Sequence, residues 1–130
     1  MLKKECRNDD VRQVGKELAL PCGAVKDYPF GPKVDVFKVA GKMFALVARE
    51  DEPLRISLKC DPVEADLLRT MFDAVKPGYH LNKRHWNTVT LDGTIPEEFI
   101  ARMIASSYAL VVNGLTKAVR TQLTVGVKHV

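Results

Sequence analysis

The sequence predicts an α+β domain in which an antiparallel sheet is backed by helices on one face. Three observations carry this. Arg55 to Cys60 alternates cleanly, with Ile56, Leu58 and Cys60 on one side and Arg55, Ser57 and Lys59 on the other. Such alternation marks a strand packed on one face and wet on the other. Asp61-Pro62 and Thr94-Ile95-Pro96-Glu97 each precede a stripe of apolar residues at three- and four-residue spacing, the pattern of capped amphipathic helices. The segments run helix, three strands, helix, strand pair, helix, an order that segregates the helices to one side of a sheet.

Taken in order, Asn8 or Asp9 caps a first helix whose buried stripe is Val11, Val14 and Leu18, and Leu20-Pro21-Cys22-Gly23 stops it. Val34 to Val39 leads through Ala40-Gly41-Lys42 into Met43 to Ala48 as a tight hairpin. Glu50-Asp51-Glu52-Pro53 forms a charged turn before Arg55 to Cys60. The helix opened by Asp61-Pro62 has Val63, Leu67, Leu68, Met71 and Phe72 as its expected apolar stripe. Trp86 to Leu91 reads as a strand and Asp92-Gly93 as a turn. In the last helix Glu97 and Glu98 match the positive end of the helix dipole. Its buried face is Ile100, Met103, Ile104, Ser107, Tyr108 and Val111, and Gly114 closes it. Leu115 to Val130 allows a further helical turn or two followed by a loose end.

With 130 residues, 46% hydrophobic and 28% charged, the chain is one domain of ordinary globular composition. It has no run of the roughly 18 apolar residues needed to cross a bilayer and no apolar segment of the signal-peptide kind behind Met1. Cys6, Cys22 and Cys60 are odd in number and widely spaced, which fits free thiols in a reducing cytoplasm. A cytoplasmic monomer without a membrane partner is expected. The net charge is +4, but Lys and Arg against Asp and Glu count 12 to 9 over residues 1–60, 5 to 7 over 61–114 and 3 to 0 over 115–130. Three of the four net charges therefore fall in the last stretch, and any nucleic-acid footprint has to be local.

Chemistry concentrates in Pro77 to Gly93, which holds two of the three histidines, the one tryptophan, a Lys-Arg pair and two asparagines. Lys83-Arg84-His85-Trp86-Asn87-Thr88-Val89 in that stretch resembles the signature of the MmcQ/YjbR family of small bacterial proteins. So do Tyr28-Pro29-Phe30-Gly31, Phe37 to Ala45 and Ile56-Ser57-Leu58-Lys59-Cys60. The resemblance runs from the first helix to about Gln122. It sets a domain at 1–123 and a tail at 124–130, and Pro21-Cys22-Gly23 departs from it because Pro-Gly is usually contiguous there. It implies a frataxin-like (CyaY-like) fold, a bacterial origin and the family's label of DNA-binding protein, itself drawn from analogy to a double-wing module.

For nucleic acid, Lys83 and Arg84 suit phosphates, Asn82 and Asn87 suit phosphate or base edges, and Tyr79, His85 or Trp86 suit base stacking. Lys38, Arg55 and Lys59 would extend the track over the wet sheet face. The bland alternative makes Trp86 a packed anchor, Lys83 and Arg84 solvated, and the asparagines turn caps. A different class of function, a small-ligand or protein-interaction module, would use a pocket framed by Tyr28, Phe30, Tyr79 and Trp86. His80 and His85 with Cys60 lack the enforced convergence a zinc site needs, so no metal or cofactor is expected. Iron binding after frataxin would need an acidic first helix, yet Glu5, Asp9, Asp10 and Glu17 are scattered among bases. No nucleophile motif, phosphate loop or carboxylate pair is present, and Cys60 reads as a buried hydrophobe with Cys22 lacking a partner. A non-enzymatic role is expected.

Overall fold

The hairpin turn at Ala40-Gly41 shows how local chemistry sets the sheet. Both residues have positive φ, 52° and 79°, the two-residue turn whose twist suits adjoining antiparallel strands. The computed structural model describes residues 23–78 and 81–128. The expected helix at 8–18, with Cys22, Tyr79 and His80, lies outside them.

Six strands form one sheet: β1 (Ala24–Asp27), β2 (Val34–Val39), β3 (Lys42–Ala48), β4 (Arg55–Lys59), β5 (Val75–Pro77) and β6 (Trp86–Thr90). The order is β1-β2-β3-β4-β6-β5, antiparallel throughout. Helices α1 (Pro62–Met71), α2 (Glu97–Asn113) and α3 (Lys117–Lys128) complete the described chain. The α+β reading holds, with helices on one face. Two strands escaped the sequence: β1, a four-residue edge, and the exact place of β5. The stretch read as a further turn or two forms the twelve-residue α3.

Between Phe37 and Lys38 the register slips, pairing Phe37 with Ala45 and Lys38 with Met43. Phe44 is the extra residue of this bulge, so Phe44 and Ala45 both bury themselves. The helix-side face presents Phe37, Val47, Ile56, Leu58 and Val89 to Leu68, Ile104 and Val111. Phe44 meets Tyr108 edge-on at 5.5 Å between ring centres. Fully buried Ser107 bridges helix and sheet: its hydroxyl donates to the Phe44 carbonyl at 2.5 Å and accepts from the Lys59 amide at 2.8 Å. It therefore satisfies backbone groups near the bulge that would otherwise be buried without partners.

Helix α1 begins as its sequence directs. Asp61 caps it, its carboxylate accepting from the amides of Val63 and Glu64 at 3.1 and 3.4 Å. The expected apolar stripe does not pack as one, however. Only Ala65 and Leu68 are buried, Phe72 is half-buried, and Val63, Leu67 and Met71 are 78%, 56% and 50% exposed. In α2 the expected face is right: Ile104, Ser107 and Val111 are buried, with Ile100, Met103 and Tyr108 packed beside them.

Candidate nucleic-acid interface

The loop from Gly78 to His85 joins β5 to β6 at one end of the sheet and is tied down from several sides. Gly78 donates to the Trp86 carbonyl at 2.8 Å. A β-carbon on Gly78 would come within 2.7 Å of the Trp86 Cβ, so only glycine allows this approach. Asn82 accepts the Arg84 amide on its side-chain oxygen at 2.9 Å, an Asx turn that bends the chain. The His85 carbonyl accepts from the Cys60 amide at 2.7 Å, fixing the loop to the end of β4.

Arg69 of α1 is the central fastening. Its Nε donates to the Asn87 side-chain oxygen at 2.6 Å, Nη2 to the Trp86 carbonyl at 3.3 Å and to the Lys83 carbonyl, and Nη1 to Asp66 at 3.3 Å. Sequence reasoning missed it. Arg69 sits beside Leu68 on a helix, and its acceptors lie 14 to 18 residues away, a separation that leaves no periodic signal.

The expected interface residues divide. Lys83 and Arg84 are exposed at the loop tip beside the exposed Asn82, and His85 is half-buried. The Lys83 ammonium folds back to donate to the Gly78 carbonyl at 3.0 Å, leaving two of its three donors for other acceptors. Lys59 pairs directly with Trp86, so its half-buried side chain lies on the sheet face opposite Leu58 at this same end. That face is not the wet one expected, since Val36 and Thr88 on it are buried. Lys76, which the sequence reading passed over, opposes Thr88 on that face. Trp86 is 8% exposed and Asn87 2%. Asn87 is turned inward to Arg69 and to the Ala65 carbonyl, to which its amide donates at 3.4 Å, so neither side chain is presented to a surface partner. Arg55 is held by Asp51 at 2.8 Å and Lys38 by Asp27 at 3.2 Å. Lys38 also lies on β2, two strand spacings or about 10 Å from β4. The continuous track over the sheet shrinks to its β4-β6-β5 end.

The aromatic pocket is not assembled. Tyr28 and Phe30 are exposed beside the edge strand β1, at the opposite edge of the sheet from β6 and Trp86. Among the described residues no three of His, Cys, Asp and Glu gather to hold a metal. Burial, reinforced by Glu64 and Asp61, pushes the Cys60 thiol up to about 11, so it stays protonated and a poor nucleophile at neutral pH.

What does distinguish this end is its charge. From Ala74 to Leu91, spanning β5, the loop and β6, there is no Asp or Glu, and β4 has none either. Lys59, Lys76, Lys83 and Arg84 therefore stand on strands and a loop without a carboxylate of their own, with Asp61 and Glu64 of the α1 start close by Cys60.

A single antiparallel six-stranded sheet with helices on one face and this polar loop between its last two strands defines a small α+β domain. The sequence profile of the YjbR family matches residues 18–110, and the chain belongs to that family. It is similar to the uncharacterized protein YbdF of Escherichia coli O157:H7, at 40% identity over 108 residues, 82% of this chain and 88% of that protein. The uncharacterized protein YjbR of Escherichia coli K12 is 40% identical over 91 residues, 70% of this chain and 77% of that one. Among solved structures, the Deinococcus radiodurans protein DR2400 superposes with a TM-score of 0.83 at 40% identity, covering 88% of this chain and 87% of its own. A Pseudomonas syringae protein gives 0.63 at 27% identity, covering 82% and 98%. Each of these proteins is bacterial, as the resemblance implied.

Proposed function

We propose that the chain is a non-enzymatic, monomeric, cytoplasmic DNA-binding protein that grips backbone phosphates with Lys59, Lys76, Lys83 and Arg84. The observation that supports this is that β4, β5, β6 and the loop, which carry Lys59, Lys76, Lys83 and Arg84, contain no Asp or Glu. With Trp86 and Asn87 both buried, little is left to read base edges, since sequence-specific contact needs side chains that reach into a groove. The interaction is therefore of the positioning kind, set by charge and by the exposed Asn82 and Arg84. Among the described residues no helix is long and apolar enough to cross a membrane.

Fluorescence anisotropy with labelled duplex and single-stranded oligonucleotides tests it. Three to four phosphate contacts give a slope of about −3 in log affinity against log salt, or a loss of roughly 50- to 100-fold between 50 and 200 mM salt. Lys83→Ala/Arg84→Ala should flatten that slope by about two contacts while leaving the fold intact. Equal binding by wild type and variant at low salt would sink the proposal.

A further inference from the structure

The exposed side of α1 has no role in the interface above. Val63, Leu67 and Met71 follow one another at four-residue spacing and are the most exposed large hydrophobics on α1 and α2, at 78%, 56% and 50%. One turn of helix separates each pair, so the three make a continuous stripe. At its Met71 end the stripe runs into a shallow hollow lined by Phe72, Ala74 and Thr90, with Asp73 and Asp92 on its rim. Carboxylates border the stripe as well. The helical period places Glu64 along one side and Asp66 along the other. Arg69, the one base of α1, is turned away to the Lys83 and Trp86 carbonyls and to Asn87. The stripe and hollow are thus apolar at the centre and acidic at the margin. Asp92 stays ionised, because Thr94 donates both its hydroxyl, at 2.6 Å, and its amide, at 3.0 Å, to the carboxylate.

We infer that α1 and the adjoining hollow are a docking surface for a cationic amphipathic segment of another protein, its apolar residues on Val63, Leu67 and Met71 and its Lys or Arg side chains on Glu64, Asp66, Asp73 and Asp92. A contiguous apolar stripe on an exposed helix is a feature of interaction surfaces, and helices present such stripes to partners through anchors at this spacing. Charge decides against a second copy of this chain. A two-fold contact sets a surface against itself, which would bring the Glu64 and Asp66 carboxylates toward their own equivalents, and like charges at close range disfavour the pair.

The probe is an 18-residue Leu/Lys amphipathic helical peptide, titrated into the isotope-labelled full chain and followed by amide chemical shifts. A Ser/Lys peptide of equal charge serves as the control. The expected result is saturable binding with shifts confined to residues 63–74 and 90–94, and at least a tenfold preference for the Leu/Lys peptide. Leu67→Ser/Met71→Ser should weaken binding by about tenfold or more, because two anchors are lost. Both side chains are half exposed, so an unchanged urea midpoint checks that the fold survives. Glu64→Lys/Asp73→Lys should weaken it independently through charge. Equal binding of both peptides, equal binding by wild type and Leu67→Ser/Met71→Ser, shifts located elsewhere, or no binding at millimolar peptide would each overturn the inference. Concentration-dependent dimerisation abolished by Leu67→Ser would also overturn it, in favour of a self-contact.

Discussion

Arg69 decides how the Lys-Arg loop is presented, although it has no place in the loop itself. Its side chain is 21% exposed, and its planar fork reaches the Asn87 amide oxygen and two backbone carbonyls at once, which a lysine ammonium lacks the geometry to copy. Replacing it with methionine keeps most of the apolar stem but leaves those acceptors without their donors. Hydrogen bonds from a charged group are worth roughly 1.5–3 kcal/mol, and stranded buried acceptors add to the loss. Arg69→Met is therefore expected to lower unfolding stability by about 2–3 kcal/mol in urea titration, and Arg69→Lys by less. Amide exchange across Gly78 and Leu81 to His85 should accelerate in both variants, since the loop loses its tie to α1. A stability change within about 0.5 kcal/mol and unaltered loop exchange would show that the guanidinium is not the fastening.

Among the elements, the β2–β3 hairpin is the most legible in the sequence and still carries a local cost. Ala40 holds a left-handed backbone, φ 52°, which its β-carbon disfavours by about 1 kcal/mol. Ala40→Gly should recover part of that, raising the urea midpoint by the equivalent of about 0.5 kcal/mol after the extra flexibility glycine gives the unfolded chain. A lowered midpoint would mean that the Ala40 methyl makes a contact worth more than the strain. The hairpin, β4 and the faces of α2 could be read because period and turn chemistry agree there. Strand β1 could not: Ala-Val-Lys-Asp is short, its Val25 is 61% exposed, and it is a strand only because β2 offers a free edge. Nor could the packing of α1, because a helical period reveals that Val63, Leu67 and Met71 share a side but not whether anything lies against it. The loop of the candidate interface was visible as composition. That Trp86 and Asn87 are buried could not be read, because Gly78 and Arg69, which pack against them, meet them only after folding.

For the whole molecule, the antiparallel strands gather most of the sheet's acids at one end. Asp27, Glu50, Asp51, Glu52, Asp73 and Asp92 fall there together with Lys33, Arg49 and Arg55, while Lys42, Lys59, Lys83 and Arg84 fall at the other end with Asp61. Two of the acidic-end carboxylates are held ionised by neighbours. The Tyr28 amide, at 2.8 Å, and then the Lys38 ammonium keep Asp27 below the usual 3.8, and the hydroxyl and amide of Thr94 do so for Asp92. A carboxyl whose folded value is depressed binds its proton less readily than in the unfolded chain, so it contributes stability above the unfolded value and loses it as pH falls through the folded one. The urea midpoint should therefore stay nearly level from about pH 5 to 8 and decline below about pH 4. Protonation at the acidic end also leaves the Lys and Arg charges uncompensated, which steepens the decline. Asp92→Asn should lower the midpoint at pH 7 and make the acid decline shallower, because the substituted amide has no proton to gain. An acid decline unchanged in Asp92→Asn would assign the loss to general charge repulsion instead of to the Thr94 contacts.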